Sequence, residues 1–473
     1  MAGPGAQPRS RGLSTSRAAT MAPMPEARQL NLTLDFCLRV GELLLSSGAG
    51  AADVTATMQS LAWHLGVRHP EIDITFTSLS MSYQRDPEEP AAVLLRHVKQ
   101  RDIDYEDLTL VDHLVRDVLR GEVDLKEARS RLARIVSSGH LTPRWAVTLG
   151  WGAMCAGVGL QLGGGPVIVA VAFVAAACID RLQLLMARRR LPFFYQQVAG
   201  GGVATIIAVL AAVALPGDLD PSVAVTANII MLLAGIGFMG ALHDALSGFY
   251  VTAGARLTEA LLATAGIIAG VSGGLTLAEV LGVDVGRLDP GAAADLKTLS
   301  VMALGAAICG SAFAFASYAP RRSLLPIGAV AAVAIVISGS GALGGLGRTW
   351  PTALAAFFVG LVSYTVAGRM RVPPLVVVVP AIVPMLPGLS IYRGLSLLTE
   401  GGGQTSDGLL AIITAASVAI ALASGVILGE YVAQPLKREA HRLESRLAGP
   451  RLVGPLRTRT SRRARRGAKD RDE

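Results

Sequence analysis

From Trp145 to Val432 the chain is a succession of apolar runs, each close to the roughly 20 residues that a helix needs to cross a hydrocarbon core. Only 16% of its 473 residues are charged, against about 25% in soluble proteins. The chain therefore reads as a mainly α, polytopic membrane protein. About ten transmembrane helices are expected, near 145–162, 166–180, 197–215, 222–242, 257–278, 299–318, 324–341, 351–367, 374–392 and 409–432. The formal charge of +8 then bears on orientation in the bilayer, and nucleic acid is not an expected partner. With the amino terminus inside, the inner loops carry nine arginines and the outer loops only Arg287, Lys297, Arg348 and Arg393. That asymmetry predicts both termini in the cytoplasm of a bacterial plasma membrane.

Three stretches flank or precede these runs. Residues 1–30 are rich in Arg, Ser and Pro and are expected to be a disordered leader, or the result of a start assigned too early, with Met21 or Met24 as the alternatives. Residues 31–140 are charged, hold no span, and predict a small cytoplasmic α+β domain. Leu34, Cys37, Leu38, Val40, Leu43 and Leu44 recur at helical spacing, and "AADVTATMQSLAWHLG" reads as a second helix. "EIDITFTSLSMSY" alternates with one slip at Thr77–Ser78, which predicts a bulged strand, with "PAAVLLRHV" as its partner. Two helices follow near 107–119 and 124–135, the second capped by Asp124 with Glu127 three residues on. Residues 434–473 form a basic cytoplasmic tail, helical at first and then too polar to bury a core.

The ten segments divide into two sets of five, 145–282 and 299–433. The first and sixth start 154 residues apart, as do the third and eighth, and the fourth and ninth match at 153: "MLLAGIGFMGAL" lies over "PMLPGLSIYRGL", with Leu233 over Leu386, Gly235 over Gly388 and Leu242 over Leu395. Five is an odd number, so the two halves are expected to run through the membrane in opposite senses, the inverted-repeat plan of many secondary transporters. Within them Pro384, Pro387 and Gly388 interrupt the ninth segment, and Gly235, Gly237 and Gly240 loosen the fourth. These positions lie some 13 residues past the start of each segment, about 20 Å into a core about 30 Å thick. Interrupted backbone at that depth must face protein or a wet cavity, so these residues are the expected substrate site.

Charge gathers just beyond the fourth segment, in "ALHDALSGFYVTAGARLTEA". His243, Asp244, Arg256 and Glu259 are candidates for coupling and gating, with Asp244 also a candidate for substrate ammonium and Arg393 for carboxylate. The plainer alternative for His243 and Asp244 is an interfacial position at the end of a straight helix. Arg256 and Glu259 are spaced to pair on one helix face. Glu430 reads as a snorkelling or capping charge.

Other chemistries find little support. "GSGALG" (339–344) fits the GxGxxG pattern but closes a span and opens no strand–helix unit. There is no Walker sequence, no nucleophile–base constellation, and no metal spacing among Cys37, Cys155, Cys178, Cys309, His64, His69 and His97. No catalytic residue, cofactor or metal is expected.

In order, "LDFCLRVGELLLSSGAGAADVTATMQSLAWHLG", "EIDITFTSLSMSY", "ALHDALSGFYVTAGARLTEA" and "VPAIVPMLPGLSIYRGL" resemble the bacterial threonine/serine exporter family in its full-length, two-half form. The first half departs from the second in reading "LLAG" where the other reads "MLPG", so its break lacks the proline. The resemblance implies proton-driven export of small hydroxy amino acids, with threonine or serine, protons and the lipid bilayer as partners; a homo-oligomer is compatible with the sequence and not fixed by it. A two-component branch of the family is associated with succinate export, so a small anion is the alternative substrate. A membrane sensor whose soluble domain binds the ligand is the alternative class.

Overall fold

The computed structural model describes residues 25–98, 101–215, 220–233, 235–280, 282, 296–343, 347–400 and 405–447. Of the leader expected over residues 1–30, residues 1–24 lie outside these residues, as does the end of the basic tail, whereas residues 25–30 are helical and open the first helix.

The amino-terminal domain comprises α1 (Pro25–Ser46), α2 (Ala51–His64), β1 (Glu71–Thr75), β2 (Ser78–Tyr83), β3 (Ala92–His97), α3 (Tyr105–Leu119) and α4 (Leu125–Ser138). The strands form one antiparallel sheet in the order β1-β2-β3. The expected bulged strand is a hairpin instead. Thr75 pairs with Ser78, and Phe76 turns the chain with φ +41°. A single phase slip between two alternating runs is compatible with either outcome; the left-handed Phe76 makes it a turn. The sheet's partner strand and both later helices form where the pattern places them. Asp124 caps α4 through a bond from the Glu127 amide to its carboxylate (2.7 Å), and Asp104 caps α3 in the same way from Glu106 and Asp107. The core forms where α1 lies against the sheet, α2 and α3: Leu34, Phe36, Leu38, Val40, Leu45, Met58, Leu61, Leu79 and Met81 are all fully buried. Each such side chain contributes on the order of 1.5–3 kcal/mol from burial.

The membrane part runs α5 (Arg144–Gln161), α6 (Pro166–Arg188), α7 (Phe193–Ala214), α8 (Pro221–Ile229), α9 (Gly235–Leu246), α10 (Tyr250–Val280), α11 (Leu296–Ala316), α12 (Arg321–Leu343), α13 (Thr349–Met370), α14 (Leu375–Ile382), a 3₁₀ turn (Val383–Met385), α15 (Gly388–Glu400) and α16 (Thr405–Leu447). Among the described residues, seven helices are long and apolar enough to cross a membrane: α6, α7, α10, α11, α12, α13 and α16. The pair α14 and α15, bent by 45°, makes an eighth if taken as one span. The protein is therefore a multi-pass membrane protein. Ten crossings were expected; α5, with Arg144, Thr148 and Gln161, and the pair α8–α9, whose first member has nine residues, are not among the eight on length and apolarity. The sixth helix is longer than its sequence run suggests, reaching Arg188.

The packing of α5–α10 is repeated by α11–α16. α5 lies against α6, and α11 against α12; α6 against α7, and α12 against α13; α7 against α10, and α13 against α16. α7 and α10 touch backbone to backbone at Gly201 and Gly270, as α13 and α16 do at Gly360 and Gly429, where a β-carbon would overlap the neighbouring chain. Small residues at such seams are the usual means of close helix approach in lipid, where apolar burial drives no association. The two sets meet along α5 and α11, and each lends a short helix to the other: α9 touches α16, and α15 touches α10.

Candidate functional site

The ninth segment breaks where proline forbids a helix. Pro384 and Pro387 each lack an amide donor, so the ladder of α14 cannot continue. It tightens into the 3₁₀ turn, and Leu386 is extended (φ −62°, ψ 138°), as the residue before a proline prefers. The fourth segment also breaks, although it has no proline. α8 ends in i→i+3 bonds from Leu232 to Ile229 (2.9 Å) and from Leu233 to Ile230 (3.3 Å), and α9 begins at Gly235. Gly235 thus opens α9, and Gly237 and Gly240 lie within it, so the glycines follow the interruption and do not form it.

The two breaks touch each other. A β-carbon on Gly235 would sit 3.1 Å from Leu386 Cβ and 3.5 Å from the Gly388 amide nitrogen; one on Gly388 would sit 3.0 Å from Leu233 Cβ and 3.5 Å from the Gly235 nitrogen. The contact is reciprocal between residues matched by the 153-residue offset: Gly235 on Leu386, Gly388 on Leu233. The amino ends of α9 and α15 therefore lie against one another, each with the positive end of a helix dipole and the first-turn amides for which a helix has no internal acceptor. Gln161, at the end of α5, reaches this place and donates from Nε2 to the Pro384 carbonyl (3.0 Å). Pro387 and Gly388 are buried; Gly237 is exposed near Ala260; Arg393 lies on the exposed side of α15.

Asp244 belongs to a different place. It lies nine residues beyond Gly235, about 13 Å along α9, beneath the amino-terminal domain. Its side chain is fully buried. Oδ1 accepts from the amide of Ala51 (3.2 Å), the first residue of α2, whose cap position Gly50 has no side chain to offer. Oδ2 lies 2.7 Å from Arg256 Nη1, an ion pair not aligned as a hydrogen bond. Arg256 Nη1 also donates to the Gly240 carbonyl (3.4 Å). Arg256 thus pairs with Asp244 and not with Glu259, which is exposed on α10. His243 lies against Gly50. Asp53, in the first turn of α2, keeps contact with solvent, but the protein crowded around it strips away enough water to push its carboxyl above the usual range, with the His243 imidazole opposing. The same loss of water lowers Arg101, against the raising effect of Asp244 and Glu259.

The domain is held at several further points. The hairpin tip sits on Thr252, whose hydroxyl accepts from the Phe76 amide (3.1 Å) and donates to the Ile74 carbonyl (3.2 Å). Arg101 stacks over the Phe76 ring at 5.0 Å. The Tyr105 amide donates to the Ser317 carbonyl (2.9 Å), His140 stacks on Tyr318 at 3.9 Å, and His113 Nε2 lies 3.0 Å from the Arg371 carbonyl. The domain therefore grips both helix sets at once, on α9 and α10 in the first and just past the ends of α11 and α13 in the second. Thr252→Val removes both hydrogen bonds at the hairpin tip and is expected to weaken docking by about 1–3 kcal/mol, because an amide and a carbonyl lose their partner. Faster hydrogen exchange at Phe76 with unchanged exchange in α1 is the expected reading.

The sequence candidates thus fall into two groups that the structure does not bring together: Gly235, Pro384, Pro387 and Gly388 at the breaks, and His243, Asp244 and Arg256 at the junction. Sequence reasoning missed Gln161, Ala51, Phe76, Arg101 and Thr252. Gln161 carried a usable signal, a polar side chain closing an apolar segment; the others touch the bundle across more than 100 residues of chain and carried none.

A multi-pass helical bundle with two broken segments in contact, and a small α+β domain docked on both halves, defines the class: a polytopic membrane protein with internally duplicated packing. Residues 35–278 match the family described as "Putative threonine/serine exporter" and residues 302–432 the family described as "Threonine/Serine exporter, ThrE". The chain is 36% identical over 462 residues to the "Probable threonine/serine exporter" of Mycobacterium tuberculosis, covering 93% of this chain and 86% of the relative. It is 31% identical over 449 residues to the "Threonine/serine exporter" of Corynebacterium glutamicum, covering 90% and 89%. A more distant relative, the "Probable succinate transporter subunit YjjP" of Escherichia coli, is 25% identical over 252 residues, covering 53% of this chain and 97% of the relative. No solved structure matches. The chain belongs to the threonine/serine exporter family.

Proposed function

We propose that this protein is a secondary transporter that exports threonine and serine from the cytoplasm, driven by the proton gradient. In this reading the membrane part is ten crossing segments in two five-segment halves of opposite orientation, in a bacterial plasma membrane with both termini in the cytoplasm. The observation that carries it is the reciprocal contact of the two breaks through Gly235, Leu386, Gly388 and Leu233. Two equivalent segments that touch through equivalent residues are what a pseudo-two-fold axis between halves requires. The repeated helix packing supports the same axis, and α5 and α8–α9 fill the first and fourth places in the series.

The chemistry at the breaks suits an amino acid. The amino ends of α9 and α15 supply donors and partial positive charge for a carboxylate. Past the bonded ends of α8 and α14, the carbonyls of the interrupted backbone would supply acceptors for an ammonium. Serine and threonine carry both groups, plus a hydroxyl. A dicarboxylate would need a second cationic or donor group in place of those acceptors, and Arg393 stands on the exposed side of α15. Amino-acid export is therefore the better reading than succinate. For coupling, the proposed residue is Asp244, beneath the docked domain. Protonation would weaken its hold on Arg256 and on α2 together, linking proton uptake to the position of a domain that spans both halves.

Counterflow in proteoliposomes tests this. Labelled threonine and serine should exchange, a pH gradient should drive net movement, and succinate should neither exchange nor compete. Succinate exchange in the absence of threonine exchange would contradict it.

A further inference from the structure

Two carboxamide side chains that no sequence signal marked as functional stand beside the two breaks. Gln161 ends α5, and its Nε2 donates to the Pro384 carbonyl inside the 3₁₀ turn of the second break. Asn228 is the penultimate residue of α8, before the first break, and is fully buried; its Nδ2 donates to the Ala204 carbonyl of α7 (2.8 Å). In each case the amide group is committed to a backbone carbonyl. Turning either amide over would set oxygen against oxygen, so the side-chain oxygen is the group left without a partner. Gln161 Oε1 and Asn228 Oδ1 are both buried and, among the described residues, neither has a hydrogen-bond partner. The end of α5 has little freedom to relieve this, because a β-carbon on Gly305 of α11 would already lie 2.7 Å from the Gln161 amide nitrogen.

A buried acceptor with no donor is disfavoured; among the described residues Gln197 Oε1 on α7 is a third such oxygen, while Gln161 bonds the second break directly and Asn228 stands one residue before the end of α8. Both are neutral acceptors. They match the parts of a hydroxy amino acid that helix amino ends cannot satisfy, the ammonium and the hydroxyl, which are donors. They would repel a second carboxylate. We propose that Gln161 and Asn228 are the specificity-determining residues of the transport site, their side-chain oxygens accepting from the substrate's ammonium and hydroxyl. This rests on the reading of the breaks as the substrate site. It adds the basis on which threonine and serine are chosen over alanine-like amino acids and over dicarboxylates. A site built to satisfy a hydroxyl rejects the analogue that lacks it, because its own acceptor is then left unpaired.

The test compares wild-type protein with Gln161→Leu and Asn228→Leu in proteoliposomes, measuring KM and maximal rate for threonine and for 2-aminobutyrate, the same molecule without its hydroxyl. Wild type should favour threonine. At least one variant should raise the threonine KM by roughly tenfold or more while leaving 2-aminobutyrate within about twofold, so that the preference collapses. Gln161→Asn and Asn228→Gln, which keep both the amide donor and the acceptor oxygen, should retain more of the preference than the leucine variants and guard against a variant that merely misfolds. Equal changes for both substrates in every variant, or an intact preference in both leucine variants, would overturn the inference while leaving the exporter reading in place. Absence of threonine transport by the wild type would overturn both.

Discussion

Asp244→Ala is expected to release the amino-terminal domain from the bundle and to abolish coupled transport. The substitution strands Arg256, whose side chain is only 11% exposed, as a buried unpaired cation, and strips the Ala51 amide of its acceptor. Removing one partner of a buried ion pair costs about 3–5 kcal/mol, far more than an exposed pair would. Hydrogen exchange should accelerate at Ala51–Val54 and at Phe76, and trypsin should gain access near Arg101. Asp244→Asn keeps an oxygen for Ala51 and loses only the charge, so its effect should be intermediate. Asp244→Ala combined with Arg256→Met should recover part of the docking, since neither charge then remains buried. Unchanged exchange at Ala51 in Asp244→Ala would remove Asp244 from the junction.

Gly388→Val should stop transport without unfolding the chain. The new side chain has nowhere to go: Leu233 Cβ is 3.0 Å and the Gly235 nitrogen 3.5 Å from the position of its β-carbon. Overpacking of this kind costs about 1–3 kcal/mol, which is roughly a ten- to hundred-fold loss of rate where it opposes the rate-limiting state. Because the contact is reciprocal, Gly235→Val should behave alike. Leu233→Gly, which removes the β-carbon itself, should partly rescue Gly388→Val by vacating the space. Gly237→Val, whose β-carbon would meet only Ala260 at 3.7 Å, should transport nearly normally. Equal losses at positions 235 and 237 would mean that helix propensity, and not the contact, is at stake.

Much of this architecture is legible in the residues. Apolar runs locate the membrane helices, since lipid leaves the backbone no partner but itself. Pro384 and Pro387 announce the second break because proline cannot donate. The first break is harder to see. Nothing in "MLLAG" forbids a helix, and the glycines that drew attention begin α9 and do not interrupt it. Alternation predicts a bulge where the structure has a hairpin at Phe76, because it records a change of phase and not the direction the chain takes afterwards. Asp244 and Gly235 share one short stretch, and nearness in sequence alone places them in one site. The rise of α9 separates them, and only the docking of α2, almost 200 residues earlier, reveals what Asp244 holds. Contacts that distant leave no local pattern.

The most direct measurement is reversible cross-linking across the two breaks. With the native cysteines replaced by serine, Leu233→Cys and Gly388→Cys together place two thiols on the reciprocal contact. Oxidation should form the bridge, abolish threonine counterflow, and be undone by reductant with transport restored; threonine should slow bridge formation and succinate should not. A bridge that forms while threonine exchange continues at its normal rate would contradict the account.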